Sequence, residues 1–406
     1  MTLHAIRPTR MQNRLPRRAK ALLAMTEYAY NGTHTMKQYL TKLHYITQPT
    51  VEDKLVTDFL RAPAALYRAV VAFRNLLYSL KIIKTRRLPA YVVSVGNLTT
   101  GGTGKTPITA EIAKYLSRKS RKVAILSRGY GGRLSGSRTN IISDGVNVFY
   151  TPYLAGDEPY WMASNTEGVM VITGKNRCAA GQEAIEEHGV DTIVLDDGYQ
   201  HIKLERNLNI LVIDCFKKFG NGLALPAGPL REPMDGIKRA DRIILVNKSP
   251  FNTGLRAECA QYGEYLGKTY GKPVHISSFK TLGIYSLKTN EPIQAHSRAQ
   301  FKIYAFAGIG QPDFFFNELK QSGFEVVQTR EFPDHHLYTE EDLAHIIKEA
   351  REGGAQGIIT TEKDAVKLSV IIDEVFSNIE PPIEIFALKL GIDLDLDKLF
   401  EGSVDE

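Results

Sequence analysis

A chain of 406 residues with 43% hydrophobic and 24% charged side chains can bury the cores of two or three domains, which excludes a fibre or a mostly disordered polymer. Its formal net charge of +6 is concentrated at the start, where Arg7, Arg10, Arg14, Arg17, Arg18 and Lys20 face the single acid Glu27. The remainder is close to neutral, so the folded part is not expected to bind nucleic acid.

Residues 1–51 read as a basic N-terminal extension. It is either an arm that touches an anionic surface or the disordered product of an assumed upstream start, because Met36 offers a second beginning. It lacks the compact apolar core and cleavage site of a signal peptide. Residues 52–89 predict an amphipathic helix: Leu66, Val70, Phe73, Leu77 and Leu80 recur at steps of four and three on one stripe, with Arg61 and Arg68 opposite. Lys81, Lys84, Arg86 and Arg87 follow it. Such a stripe either packs on a neighbouring domain or lies in a bilayer interface with its cations among anionic headgroups. No apolar run reaches the roughly 18 residues of a membrane span.

Between residues 90 and 282, apolar β-branched runs alternate with helix-sized segments: Val92–Val95, Val123–Leu126, Val169–Ile172, Thr192–Leu195, Ile210–Ile213 and Ile243–Val246. Continuous apolar strands of this kind belong to a parallel sheet covered on both faces, so the class is α/β, a P-loop-type sheet flanked by helices. Residues 283–298 read as a β-hairpin linker turning at Lys288–Pro292. Residues 299–406, with strands near Ile303–Ala307, Phe324–Val327, Gly357–Thr360 and Ile383–Ala387, read as a smaller C-terminal α/β domain. Cys178, Cys215 and Cys259 have no CxxC spacing, which argues against a disulfide framework or zinc cluster and for a reducing compartment.

The sharpest chemical signal is Thr99-Thr100-Gly101-Gly102-Thr103-Gly104-Lys105-Thr106, after one strand and before a helix. A glycine-rich turn there lets backbone N–H groups wrap a phosphate, Lys105 reach the β/γ oxygens and the Thr106 hydroxyl ligate Mg²⁺. Threonine at 99 departs from strict Walker A spacing, and Gly96 supplies some of the missing freedom. The run Thr192-Ile193-Val194-Leu195 delivers Asp196 and Asp197 to the carboxyl edge of the sheet, where oxygen ligands suit Mg²⁺. Asn247-Lys248-Ser249-Pro250 has proline where a guanine-reading aspartate belongs, which weakens a GTPase reading. Thr100 stands where partitioning-type ATPases carry a trans-acting lysine.

Seven motifs in order make the chain resemble the tetraacyldisaccharide 4′-kinase, or lipid A 4′-kinase, family between about Leu60 and Leu368. They are Gly96 to Pro107, Ser127-Arg128-Gly129-Tyr130-Gly131, Gly156-Asp157-Glu158-Pro159, Asp196-Asp197-Gly198-Tyr199-Gln200-His201, Leu230-Arg231-Glu232-Pro233, Phe332-Pro333-Asp334-His335-His336 and Thr361-Glu362-Lys363-Asp364. The resemblance implies transfer of the γ-phosphate of ATP to the 4′-hydroxyl of an acylated glucosamine disaccharide 1-phosphate, forming lipid IV-A in lipid A synthesis. It implies Asp157 as the base, with His335 orienting it on cleft closure. Thr103, Lys105 and Thr106 would hold phosphates and metal, with Asp196, Asp197, Gln200 and Glu232 completing the metal site, and Arg231 would neutralise the moving phosphoryl group. Arg128 and Arg177 are candidates for phosphate contact on nucleotide or substrate.

A lipid substrate favours the bilayer reading of the 52–89 helix, at the cytoplasmic face of a bacterial inner membrane, and no obligate protein partner is implied. Three rival readings remain: a P-loop ATPase switch or scaffold, a kinase of a soluble small molecule, and a phosphoesterase using Asp334-His335-His336 as metal ligands. The last is disfavoured by the phosphate loop.

Overall fold

The computed structural model describes residues 36–134, 138–249, 253–293, 301–334, 336–368, 371–372 and 383–403. They divide into two compact units. One holds the described residues through Lys84, Leu98–Gly101 and Lys217–Arg239; the other holds Thr85–Asn97, Gly102–Phe216 and the chain from Ala240 onward.

The first unit is led by helices α1 (Met36–Tyr45) and α2 (Val51–Ser79). Thr50 and Asp53 form a capping box at the start of α2: the Thr50 hydroxyl accepts from the Asp53 N–H at 3.1 Å and the Asp53 carboxylate accepts from the Thr50 N–H at 2.9 Å. Two orphan donors are thereby satisfied where the helix begins. The Tyr39 hydroxyl also donates to Asp53, at 3.0 Å, tying α1 to that cap. Tyr39, Leu43, Val56, Leu60, Ala64 and Ala227 make the unit's core. The opposite side of α2 carries Leu66, Val70, Phe73 and Leu80, each at least 60% exposed. Of the five residues in the stripe expected from periodicity these four are exposed, and Leu77 is half-buried. No described helix is long and apolar enough to cross a membrane.

The second unit is organised by one sheet of twelve strands in the order β10-β9-β11-β12-β8-β7-β6-β1-β5-β2-β4-β3. Its strands are β1 (Tyr91–Gly96), β2 (Val123–Ser127), β3 (Asn140–Ser143), β4 (Met170–Thr173), β5 (Thr192–Leu195), β6 (Leu208–Asp214), β7 (Arg242–Asn247), β8 (Val274–Ser286), β9 (Lys302–Ala307), β10 (Glu325–Glu331), β11 (Gly357–Thr361) and β12 (Glu384–Asp393). All pairings are parallel except β3 with β4 and β8 with β12. The class is α/β, as the apolar runs predict.

Helices cover both faces. Val93 and Val95 of β1 join Ile108, Ile112 and Leu116 of α3 (Lys105–Arg118) on one side, while Val92 joins Cys178, Ala180 and Ile193 on the other. Each fully buried Leu, Ile or Val contributes roughly 1.5–3 kcal/mol. The connecting helices are α4 (Pro152–Ala155), α5 (Asp157–Asn165), α6 (Arg177–His188), α7 (Thr253–Tyr270), α8 (Pro312–Gln321), α9 (Glu340–Glu352), α10 (Glu362–Leu368) and α11 (Leu396–Phe400). The three cysteines are buried, and none is joined in a disulfide.

β8 reaches further than its sequence suggests. Its first half pairs with β7 and its second with β12, so the strands of the C-terminal segment continue the sheet that carries β1. The chain then turns back, with Ile293 N–H donating to the Ile284 carbonyl at 2.8 Å. Residues 294–298 of the expected linker lie outside the described residues. β3, short and polar, was not foreseen.

Candidate active site

Register brings the chemistry to one edge. β1 lies between β6 and β5, with Ser94 beside Leu195, so the loop after β1 and the carboxylates after β5 emerge side by side at the carboxyl ends of neighbouring parallel strands. Gly104 caps α3 in a left-handed conformation at φ 85°, which favours glycine, and a Cβ there would press on Phe279 and Val246 at 3.2 and 3.3 Å. No side chain caps this helix, which leaves its first N–H groups for another acceptor.

Lys105 and Thr106 form the first turn of α3, and Lys105 Nζ lies 3.5 Å from Asp197 Oδ1. The loop is braced by its own neighbours. The Asn97 amide donates to the Thr103 hydroxyl at 3.1 Å, and the Gln200 amide donates to the Asn97 carbonyl at 2.7 Å. Tyr199 is fully buried, in keeping with a packing role.

Asp196 is buried and accepts from the Thr109 hydroxyl at 3.1 Å and the Ser127 hydroxyl at 3.4 Å. Burial pushes its carboxyl up to about 6, with Glu158 and Asp197 adding to the shift and Lys105 and Arg177 opposing it. Arg177, also buried, donates to the Asp197 carbonyl at 3.0 Å. Burial lowers its guanidinium from the usual value, against the pull of Asp197 and Asp196, and the nearby charge of Arg128 adds to the lowering. Arg128 itself is exposed after β2.

Among the described residues no three acidic, histidine or cysteine groups converge as a metal cage. Mg²⁺ takes one or two carboxylates and completes its octahedron with phosphate and water oxygens. Thr106, Asp196 and Asp197 are such oxygen donors, and fit an ion that arrives with a nucleotide.

Asp157 opens α5 directly after Gly156, whose φ of 93° and closeness to the Tyr130 carbonyl, 2.6 Å from any added Cβ, leave room only for glycine. The Asp157 carboxylate is nearly buried, 3.5 Å from Lys367 Nζ. Lys367 in turn meets Asp364 at 3.0 Å, and Asp364 accepts from Gly308 N–H at 2.9 Å and the Thr361 hydroxyl at 2.8 Å. Next to Asp157, Glu158 pairs with Lys363 at 3.2 Å. Burial alone would lower the Lys363 ammonium; Glu158, Asp334 and Asp157 around it raise it above the ordinary lysine value. Asp334 of the Phe332–His336 motif therefore shares the electrostatic environment of Asp157. Burial also raises the Tyr338 phenol, with Asp364 adding to it.

His335 lies outside the described residues. His336 is engaged locally: its Nε2 is 2.9 Å from Asp342 and its ring stacks on Phe332 at 4.7 Å.

The remaining site candidates belong to the first unit. Arg231 N–H donates to the Leu98 carbonyl at 2.8 Å and Thr100 N–H to the Pro229 carbonyl at 2.8 Å, so the Pro229–Arg231 segment runs beside Thr99 and Thr100. The Arg231 carbonyl accepts from Tyr67 of α2 at 2.8 Å. Glu232 is fully buried, with its oxygens accepting from Arg239 at 2.8 and 2.7 Å and from Asn75 at 3.1 Å.

Sequence reasoning gave no role to Lys367, Lys363 or Thr109. Lys363 and Lys367 lie one helical turn apart on α10, a spacing legible only once that helix is known to face Asp157.

A glycine-rich loop after β1, a lysine at the head of the next helix and paired aspartates after the adjacent parallel strand define a P-loop nucleotide-binding protein. Residues 56–404 match the family model of tetraacyldisaccharide-1-P 4′-kinase. A tetraacyldisaccharide 4′-kinase of Geobacter metallireducens is 41% identical over 323 residues, covering 80% of this chain and 92% of that one. The namesake of Halothermothrix orenii is 36% identical over 386 residues, covering 92% and 97%. The solved structure of LpxK from Aquifex aeolicus in complex with ATP aligns with a TM-score of 0.66 at 30% identity, over 86% of this chain and 98% of that one. The chain belongs to the tetraacyldisaccharide-1-P 4′-kinase family.

Proposed function

We propose that this chain transfers the γ-phosphate of ATP to the 4′-hydroxyl of a tetraacylated glucosamine disaccharide 1-phosphate. Family membership across residues 56–404 fixes the class of reaction. The single geometric observation that carries the reading is the meeting of Lys105 and Asp197 at 3.5 Å, where loop and carboxylates share one edge.

In this reading the backbone of residues 99–106 and Lys105 grip the triphosphate, while Thr106, Asp196 and Asp197 hold Mg²⁺. The ion, when bound, offsets the charge of the β- and γ-phosphate oxygens. Asp157 accepts the proton of the 4′-hydroxyl as that oxygen bonds to phosphorus, and His335 orients it. A sugar hydroxyl does not ionise at neutral pH, so a placed carboxylate supplies what solvent cannot. Gln200 acts on the loop through the Asn97 carbonyl as well as toward the metal. Arg128, Arg177 and Arg231 neutralise phosphate charge, and Glu232, through its pair with Arg239, sets the conformation of the Arg231 segment.

The exposed stripe on α2 lies in the bilayer interface at the cytoplasmic face, where ATP is available. Four acyl chains keep the substrate in the membrane at about 0.8 kcal/mol per CH₂ withdrawn, so the enzyme must come to it.

The test is transfer of a radiolabelled γ-phosphate to the disaccharide 1-phosphate in mixed micelles. Label is expected in a product phosphorylated at the 4′ position, with ATP turnover dependent on the lipid. Slow ATP hydrolysis indifferent to the lipid would instead indicate a switch or scaffold ATPase.

A further inference from the structure

The Asn247-Lys248 pair has Pro250 where a guanine-reading aspartate would stand, yet it is built into the surroundings of the phosphate loop. β7 ends at Asn247, which is buried and whose Oδ1 accepts from Ser249 N–H at 3.0 Å, shaping the turn that presents Lys248. β6, its neighbour in the sheet, ends at buried Asp214, whose Oδ2 lies 2.7 Å from Lys248 Nζ. The other Asp214 oxygen accepts from Phe216 N–H at 2.9 Å. The same ammonium donates to the Gly102 carbonyl and to Oε1 of Gln311, the N-cap of α8. Two of its N–H donors thus have acceptors in the Gly102 carbonyl and Gln311, while its charge is paired with Asp214.

A buried ion pair alone is weak evidence of purpose, since apolar residues often stabilise a core equally well. Its third contact is what an apolar pair could not supply. A Cβ at Gly102 would find nothing within 4 Å, so the residue is open on that side, and glycine leaves its torsions free. In a trans peptide the carbonyl and the following N–H point in opposite directions.

We propose that Lys248, pinned by Asp214, is a positioning residue for the nucleotide: by holding the Gly102 carbonyl it fixes the direction of the Thr103 N–H offered to ATP phosphate. The proposal rests on the assignment of residues 99–106 to ATP. It concerns preorganisation, because an N–H already aimed at its acceptor spares the ordering cost on binding. Burial lowers the Lys248 ammonium from the ordinary lysine value, with the charge of Lys105 adding to the lowering and Asp214 opposing it.

The test uses the full chain carrying Lys248→Met together with Asp214→Asn, so that no lone charge is left buried. Binding of a fluorescent ATP analogue, KM for ATP, KM for the lipid disaccharide and the thermal midpoint are measured. The expected result is a rise of about 10-fold in Kd and KM for ATP, the loss of one charge-assisted hydrogen bond, with KM for the lipid unchanged. ATP affinity equal to wild type in the folded double variant overturns the proposal, as does an equal rise in both KM values. Should that variant not fold, Lys248→Arg, which keeps Asp214 paired, decides: an intermediate loss of ATP affinity supports the proposal and wild-type affinity overturns it. Lys105→Ala is measured alongside; if it binds ATP normally, the loop assignment itself fails and the proposal with it.

Discussion

Asp157 is held by a chain of charges rather than left in water. Its carboxylate faces Lys367, and Lys367 is also bound to Asp364, a fully buried acid with two further donors. An ammonium between two nearly buried carboxylates offsets their desolvation and fixes the direction in which Asp157 points. Replacing Lys367 with Met should therefore cost about 3–5 kcal/mol of folding stability, because two acids lose their counter-charge. Adding Asp364→Asn should recover part of that stability without restoring transfer. Denaturant melts of the two variants beside the transfer assay check this; full transfer in the folded double variant would remove Lys367 from the account. The sequence showed Lys367 only as one lysine of a helix, since its partner stands over two hundred residues away. Glu232 shows the converse: the family resemblance placed it with the metal ligands, and the structure shows its oxygens accepting from Arg239 and Asn75, partners that a motif does not name.

In helix α2 the period showed the stripe from Leu66 to Leu80, but it did not show that a second apolar face would form the core, because both faces are apolar. Val56, Leu60, Ala64 and Val71 are buried, whereas Leu66, Val70, Phe73 and Leu80 project outward. Deleting the helix would also destroy the core around Val56, so the discriminating change is confined to the outer face. Leu66→Ser, Val70→Ser and Phe73→Ser together should leave the thermal midpoint almost unmoved and abolish flotation with anionic vesicles; undiminished flotation would refute interfacial docking. Strand existence was legible for the same kind of reason, apolar runs of β-branched residues being fit for a sheet buried on both sides. The edge strand β3, Asn-Ile-Ile-Ser, carried too little of that signal. The double pairing of β8 also escaped notice, since a long strand with a polar middle resembles a strand and a separate hairpin.

At the scale of the molecule, the sheet sets what can meet. Placing β1 between β5 and β6 puts the phosphate loop beside Asp196 and Asp197, and the electrostatic influence of Glu158 on Asp196 ties the start of α5 to the same edge. Catalysis of phosphoryl transfer is mostly positioning and charge stabilisation, so a scaffold that brings these groups together carries most of the function. The proposed reaction divides the labour between Lys105, which serves the nucleotide, and Asp157, which serves the acceptor. It is tested most directly by measuring ATP binding and phosphoryl transfer in Asp157→Ala and Lys105→Ala side by side. Asp157→Ala should bind ATP like the wild type while transfer falls about 100-fold or more, and Lys105→Ala should lose both. Full transfer by Asp157→Ala would contradict it.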